Sequence, residues 1–254
     1  MASLAAVVTV GTQIPYPLAS GSTQRVLTIV SVVAFFAASL LHAADTRGLR
    51  AATLLVGVCV GGGLMAEAMG SRTGFPFGNY RYNDSLGATV AGVPVVVGLA
   101  WAMMGWPALL CGRRVADRFR CSHRSGAVLL TAFVGSLVLV TWDLFLDPQM
   151  VEAGHWSWLA TPGPWLHGVP LVNSLGWFAT GVLMMILLEV LVPTVARAGS
   201  SDALAWALVG WTWFSEWFGH LVFFGRPTVG IVGGLAMTPV LMVVAKPDLL
   251  RSRT

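Results

Sequence analysis

Charge is what this sequence has least of. Only 10% of its 254 residues are Asp, Glu, Lys or Arg, whereas a soluble domain carries ~25%. Lysine is reduced to one residue, Lys246. Cysteine is sparse: Cys59, Cys111 and Cys121 lie far apart with no C-x-x-C spacing, so no disulfide framework is expected and buried free thiols are the simpler reading. The first 20 residues hold no Lys or Arg, so a secretory signal with a basic start is not expected. These shortages exclude a disordered chain, a secreted disulfide scaffold and an ordinary cytosolic enzyme.

What is abundant is apolar side chain, at 56% of residues with a mean hydropathy of +0.76. About 30 Å of hydrocarbon takes ~20 apolar helical residues per crossing. Seven runs approach that length: Val26–Ala43, Leu49–Met69, Ala88–Cys111, Gly126–Leu146, Val172–Val192, Ala203–Phe224 and Val229–Ala245. The expected fold is all-α, a polytopic membrane protein with a bundle of about seven transmembrane helices. It reads as a single domain over 1–254, with a short N-terminal segment 1–25 and a cytoplasmic tail 246–254. Pro15 and Pro17 argue against an eighth crossing near the start, because proline breaks helix interiors. Small-residue seams at Gly61–Gly63 and Gly230–Gly234 suit close helix packing.

Basic residues orient the bundle. Arg47, Arg50, Arg113, Arg114, Arg118, Arg120, Arg124, Arg197, Lys246, Arg251 and Arg253 fall on one side, against Arg25, Arg72, Arg81 and Arg226 on the other. The expectation is a multi-pass protein of the cytoplasmic membrane with its N-terminus outside and its C-terminus inside. The pI near 9.4 then reports topology, and no nucleic-acid partner is expected. On the outer side lie two long loops, Gly70–Gly87 and Asp147–Pro170, rich in Gly, Pro and aromatics. They read either as interfacial belts or as caps over a cavity, since unpaired backbone at that depth must be buried or face water.

An acid inside a span is a functional candidate by default. Glu67, Asp143 and Glu216 come from three separate runs, yet at ~1.5 Å rise per residue they fall near one common depth in the outer half. Asp143 and Asp147 are four apart and share a helix face. Close carboxylates leave one acid protonated at neutral pH, which is what a proton donor to a weakly basic substrate needs. Alternatively, Asp147-Pro148 is a turn that ends its helix. Glu216 and His220, also four apart, read as a paired carboxylate and imidazole; no cluster supplies the three ligands a zinc site needs, so no metal is expected. Glu189 reads as interfacial and His42 as solvated at the inner side, while His155 and His167 lie in the outer loop. Trp142, Trp177, Trp217, Tyr80 and Tyr82 fall toward the outer half, where aromatic faces can stabilise a cation.

Some classes fall away. A retinal protein needs a lysine in the middle of its last helix, and Lys246 stands at the inner end. P-loop, Rossmann and G-x-S-x-G motifs are absent. An intramembrane prenyltransferase needs two aspartate-rich motifs, and Asp143–Asp147 is one bare pair.

Three blocks carry a family resemblance: TGFPFGNYRY (Thr73–Tyr82) with LGATVAGVPVVVGLAWAMM (Leu86–Met104), TWDLFLDPQMV (Thr141–Val151) followed by HWSW (His155–Trp158), and GVPLVNSLGWF (Gly168–Phe178). Over roughly residues 50–245 the chain resembles the CruF-type carotenoid biosynthesis membrane proteins, the carotenoid 1,2-hydratases that include bisanhydrobacterioruberin hydratases. Ala88 stands where members often carry proline. The resemblance implies cofactor-free addition of water to the terminal isopropylidene double bond of an acyclic carotenoid, giving a tertiary alcohol. It implies a carotenoid substrate, membrane lipid as surroundings and other carotenoid-pathway membrane enzymes as partners.

Such a hydration needs an acid to protonate the alkene, a positioned water, and a dry aromatic pocket around the cation. The residues suggested for these tasks are chemical inferences. Asp143 or Asp147 is the acid, and the other aspartate with Glu67 or Glu216 holds the water. Trp142, Tyr80 and Tyr82 shape the pocket, with Trp177, Trp217 and His220 nearby, and Asn173 hydrogen-bonds the water or the new hydroxyl. A carotenoid end-group cyclase, a non-catalytic carotenoid-binding or transport protein and a proton-coupled transporter are the rival readings.

Overall fold

The computed structural model describes residues 1–121 and 123–246, so Asp248, Arg251, Arg253 and nearly all of the expected tail lie outside the described residues. The helices are α1 (Ala2–Gln13), α2 (Gly21–Arg47), α3 (Leu49–Thr73), α4 (Val95–Arg118), α5 (Arg124–Glu152), α6 (Leu171–Leu191), α7 (Ala203–Val222) and α8 (Pro227–Val244). Six of them, α2 to α6 and α8, are long and apolar enough to cross a membrane. The run beginning at Ala203 is indeed a 20-residue helix, diluted by Ser215, Glu216 and His220. The chain is thus an all-α multi-pass membrane protein. At ~1.5 Å per residue the 12-residue α1 is too short to cross, and it lies against α2 and α7.

Helix α4 forms the hub, packed against α2, α3, α5, α7 and α8. Its Trp101, Met104, Trp106 and Leu109 are fully buried. Gly63 makes one close approach possible: a Cβ there would stand 2.7 Å from the Trp101 ring. Within α3 the residues Val56–Gly61 form a π turn, which turns Cys59 inward against Gly105 of α4.

Two sequence-derived boundaries move. The third run does not become helical at Ala88. Strand β2 (Thr89–Val90) pairs with β3 (Val93–Pro94) around Ala91 and Gly92, both at positive φ, and α4 starts only at Val95. Nor does Asp147-Pro148 end its helix, because α5 runs on to Glu152. A proline there removes one donor, so only the carbonyl one turn back loses its partner. The surroundings brace this stretch: the Arg226 guanidinium donates to the Pro148 carbonyl at 2.8 Å and to Glu152 at 2.7 Å.

At the end of the bundle remote from the long loops, charges are paired. Arg47 donates to Asp202, with one contact at 2.8 Å. Arg113 donates to Glu189 at 2.6 Å and to the Val192 and Pro193 carbonyls. Glu189 is therefore buried with its counter-charge instead of interfacial. His42 is likewise buried, not solvated: its Nδ1 accepts from the Trp106 indole at 2.9 Å, and its Nε2 lies 3.0 Å from the Ser201 carbonyl.

Candidate functional site

Glu67 stands near the end of α3, and Asp143 and Asp147 stand one turn apart near the end of α5. The alternating up-down course of the helices brings these ends together, so that Glu67 and Asp147 line one space. All three side chains are buried.

The two aspartates are tied by one amide. Asn173, in the first turn of α6, donates Nδ2 to Asp143 Oδ2 at 2.8 Å and to Asp147 Oδ2 at 2.5 Å. Asp143 Oδ1 has no hydrogen-bonding partner. Glu67, by contrast, is saturated with donors. Its Oε2 accepts from the Tyr80 hydroxyl at 2.5 Å and the Tyr82 hydroxyl at 2.7 Å, and its Oε1 accepts from the Trp101 indole at 3.0 Å. Burial, with the Glu67 charge adding to it, pushes both phenols above the usual tyrosine range, so they stay protonated and act as donors.

The two long loops close this end together. Strand β1 (Tyr80–Tyr82) pairs antiparallel with β4 (Trp156–Trp158), setting Tyr80 opposite Trp158 and Tyr82 opposite Trp156. Alternate residues of a strand share a face, so all four rings point inward while Arg81 and Ser157 are exposed. His155 fastens the clasp. Its Nδ1 lies 2.7 Å from the Ser85 hydroxyl and its carbonyl accepts the Asn83 amide at 3.0 Å. A further hairpin, β5 (Trp165–Leu166) with β6 (Val169–Pro170), ends the second loop.

Beneath the clasp lies a chamber of about 650 Å³ lined by Glu67, Asp147 and Asn173 among predominantly apolar walls. Tyr80, Tyr82, Trp156 and Trp158 roof it, and Trp101, Trp142 and Trp177 line it below. Trp101 and Trp177 stack at 3.8 Å between centroids, and Trp142 meets Trp177 edge-on at 5.9 Å. A second cavity of about 680 Å³ adjoins the chamber, sharing Thr28, Val32, Met103, Trp142, Leu146 and Met150 with it.

Of the residues expected from sequence, Glu67, Asp143, Asp147, Asn173, Tyr80, Tyr82, Trp142 and Trp177 therefore converge. Glu216 does not. It lines the second cavity with Tyr16 and Gln149, 3.6 Å from His220. His220 is buried between Phe145 and Phe224, its Nε2 3.2 Å from the Phe145 carbonyl. Trp217 lines neither cavity; it stacks on Trp213 and packs against Gly234. Sequence reading assigns no site role to Trp101, Trp156 or Trp158. The two strand tryptophans were signalled by the alternation Trp-Ser-Trp, which matches Tyr-Arg-Tyr across the clasp. Trp101 carried no such signal. Among the described residues no three His, Cys, Asp or Glu side chains are grouped to hold a metal.

Comparison with known proteins adds two findings. Residues 24–244 match the sequence profile of the family described as "Carotenoid biosynthesis protein". The chain is also 30% identical over 133 residues to a "Bisanhydrobacterioruberin hydratase" of Haloarcula japonica, a stretch covering 48% of this chain and 40% of that relative. No solved structure matches.

Proposed function

Because the chain belongs to the carotenoid biosynthesis protein family, we propose that the chamber hydrates the end of an acyclic carotenoid. The terminal isopropylidene double bond enters from the membrane, and the Asp143–Asp147 pair carries the proton it needs. Two carboxylates that share one amide in a dry site cannot both be ionised without strong repulsion, so the pair is suited to hold a single proton. That proton adds to the CH carbon of the alkene and leaves a tertiary cation on the dimethyl carbon. A water attacks the cation, forms the C–O bond and returns one proton to the pair. The catalyst is restored, and the chemistry calls for no redox partner or cofactor.

Glu67 is built for a different task. Every contact to its carboxylate is donated to it, so it serves as a fixed acceptor whose negative charge, with the indole faces of the walls, favours a cation in the chamber. The roof excludes bulk water, which would otherwise quench the cation at random. Asn173 holds the aspartates in register. The observation that carries this reading is the Asp143–Asn173–Asp147 arrangement bordering an aromatic chamber closed by two paired loops. The name of the partial relative supports it.

Expression in a host that makes an acyclic carotenoid tests it directly. The expected result is a pigment heavier by one or two waters. An unchanged mass with a ring formed would mean that an internal alkene captures the cation, as in a cyclase. Unaltered pigment that co-purifies with the protein would mean a carotenoid-binding or transport role. The basic-residue distribution supports an orientation in the cytoplasmic membrane with the N-terminus outside, so that the roof faces outward. Reporter fusions that place the Arg113–Arg124 connection outside would reverse it. Other carotenoid-pathway enzymes in the same membrane would supply the substrate and accept the product.

A further inference from the structure

Asp143 has an oxygen that the chamber does not use. The side chain is 1% exposed, and its Oδ1 is the oxygen without a partner. Burying an unpaired carboxylate oxygen is costly, and every other acid oxygen described around the chamber has a donor or borders the chamber itself. Asp143 is absent from the chamber lining and lines instead a separate, small recess. That recess lies between α5, α6 and the β5–β6 hairpin, walled by Leu166 and Val169 of the hairpin and Ser174 of α6. Asp147 borders both spaces. The aspartate pair is thus a partition between the large aromatic chamber and a small recess. The recess has room for about a single water, with the two carboxylates as its polar partners.

We propose that the recess is a water-binding subsite, in which water bound to Asp143 Oδ1 reaches the reaction chamber past Asp147. This rests on the hydratase reading for its purpose, but not for its existence. It separates two needs that conflict in one compartment: the alkene requires a dry room, and the cation requires one water. The recess supplies water singly from behind the acid, on the side under the hairpin, and the aromatic roof keeps the rest out. The same water exchanges the proton of the pair with the outside.

The test uses protein in lipid nanodiscs and infrared spectroscopy during transfer from H2O to D2O. Asp143→Asn identifies the protonated-carboxyl band. Ser174→Leu fills the recess from α6, Leu166→Phe fills it from the hairpin, and Ser174→Ala leaves it open. The expected result is that deuterium exchange of the band slows about tenfold or more in both filled variants and stays at the wild-type rate in Ser174→Ala. Hydrated pigment falls in parallel, while helical content and carotenoid retention by the purified protein are preserved. Wild-type exchange in either filled variant that keeps its helical content, or a wild-type spectrum without an exchangeable carboxyl band, overturns the proposal. If wild-type protein makes no hydrated pigment, the proposed reaction fails, yet the exchange rates still decide whether the recess feeds the pair.

Discussion

Tyr80 of the α3–α4 loop lies directly across the strand pair from Trp158 of the α5–α6 loop, with ring centroids 4.9 Å apart. That contact joins segments 78 residues apart in sequence and fixes the Tyr80 hydroxyl on Glu67. Aromatic cross-strand pairs contribute ~0.5–1.5 kcal/mol beyond their buried area. Trp158→Ala should therefore speed amide exchange at Arg81 and Ser157 about fivefold, the equivalent of ~1 kcal/mol, and admit water to the chamber. Hydrogen-exchange mass spectrometry measures the first effect. Exchange at the wild-type rate would mean that the clasp is held by its backbone alone.

The aspartate pair should be the most sensitive point of the molecule. General acid–base groups contribute ~10²–10⁴ in rate, so Asp143→Asn and Asp147→Asn should each lower hydrated pigment at least a hundredfold with the protein still folded. Asn173→Ala should act through the pair and shift the pH profile of turnover, and Asn173→Gln should not restore it because the longer side chain misplaces the amide. Wild-type turnover by Asp143→Asn would remove that residue from the mechanism.

Glu67 and Glu216 are separated by geometry that their similar depth conceals. Glu67→Gln turns one of the two acceptor oxygens into a donor facing donors and places a neutral group against the cation, so a loss of about a hundredfold is expected, in line with the removal of one electrostatic stabiliser. Glu216→Gln changes a wall of the neighbouring cavity and should cost about tenfold or less. Pigment analysis of the two variants in one host compares them, and equal losses would place Glu216 in the reaction.

The clasp should also respond to pH through His155. Burial, with Arg25 adding to it, holds this imidazole below the usual histidine range. The closed clasp therefore binds a proton less readily than the open one. Above ~6.5, the ordinary histidine value, both forms are neutral and the clasp has its full strength. As pH falls below that value the open form takes up the proton first, and the clasp weakens until the pH reaches the depressed value of the closed form. Loop opening, read as the amide exchange rate divided by the intrinsic exchange rate at each pH, should increase from pH 7.5 to 5, and His155→Gln should flatten the dependence. A corrected rate that falls on acidification would contradict the sign.

Gly63 sets how closely Trp101 approaches α3. A methyl group there would meet the indole at 2.7 Å, and overpacking a tight interior costs ~1–3 kcal/mol. Gly63→Ala should lower the thermal midpoint and weaken the indole's hydrogen bond to Glu67, visible as a change in tryptophan fluorescence.

Much of this was legible from residue order. Hydrophobic runs of helical length located the crossings, because the bilayer imposes one length on all of them. The intramembrane acids marked the end that carries the site, because an unneeded charge there is expensive. What was not legible has a common cause: it depends on which distant segments touch. Glu216 shares the depth of Asp143, but α7 turns it into a different cavity. Pro148 reads as a stop, yet α5 runs through it to Glu152, with Arg226 donating to its carbonyl. Glu189 reads as interfacial in the sequence, but the fold pairs it with Arg113, 76 residues away. The strand pairing could not be read from either loop alone, although Tyr-Arg-Tyr and Trp-Ser-Trp each carry its two-residue period.

The roof has one strand from the α3–α4 loop and one from the α5–α6 loop. During synthesis the two halves of the site therefore arrive at different times. When only α2 to α4 have entered the membrane, Glu67 and its tyrosines are present, but neither the aspartates nor the covering strand exists. The chamber is assembled late: α5 brings the acid pair, the second loop brings the covering strand, and α6 brings Asn173 and Trp177. Nascent chains interrupted before Trp177 therefore carry an incomplete site, in which the half that holds Glu67 waits for the half that holds the acids.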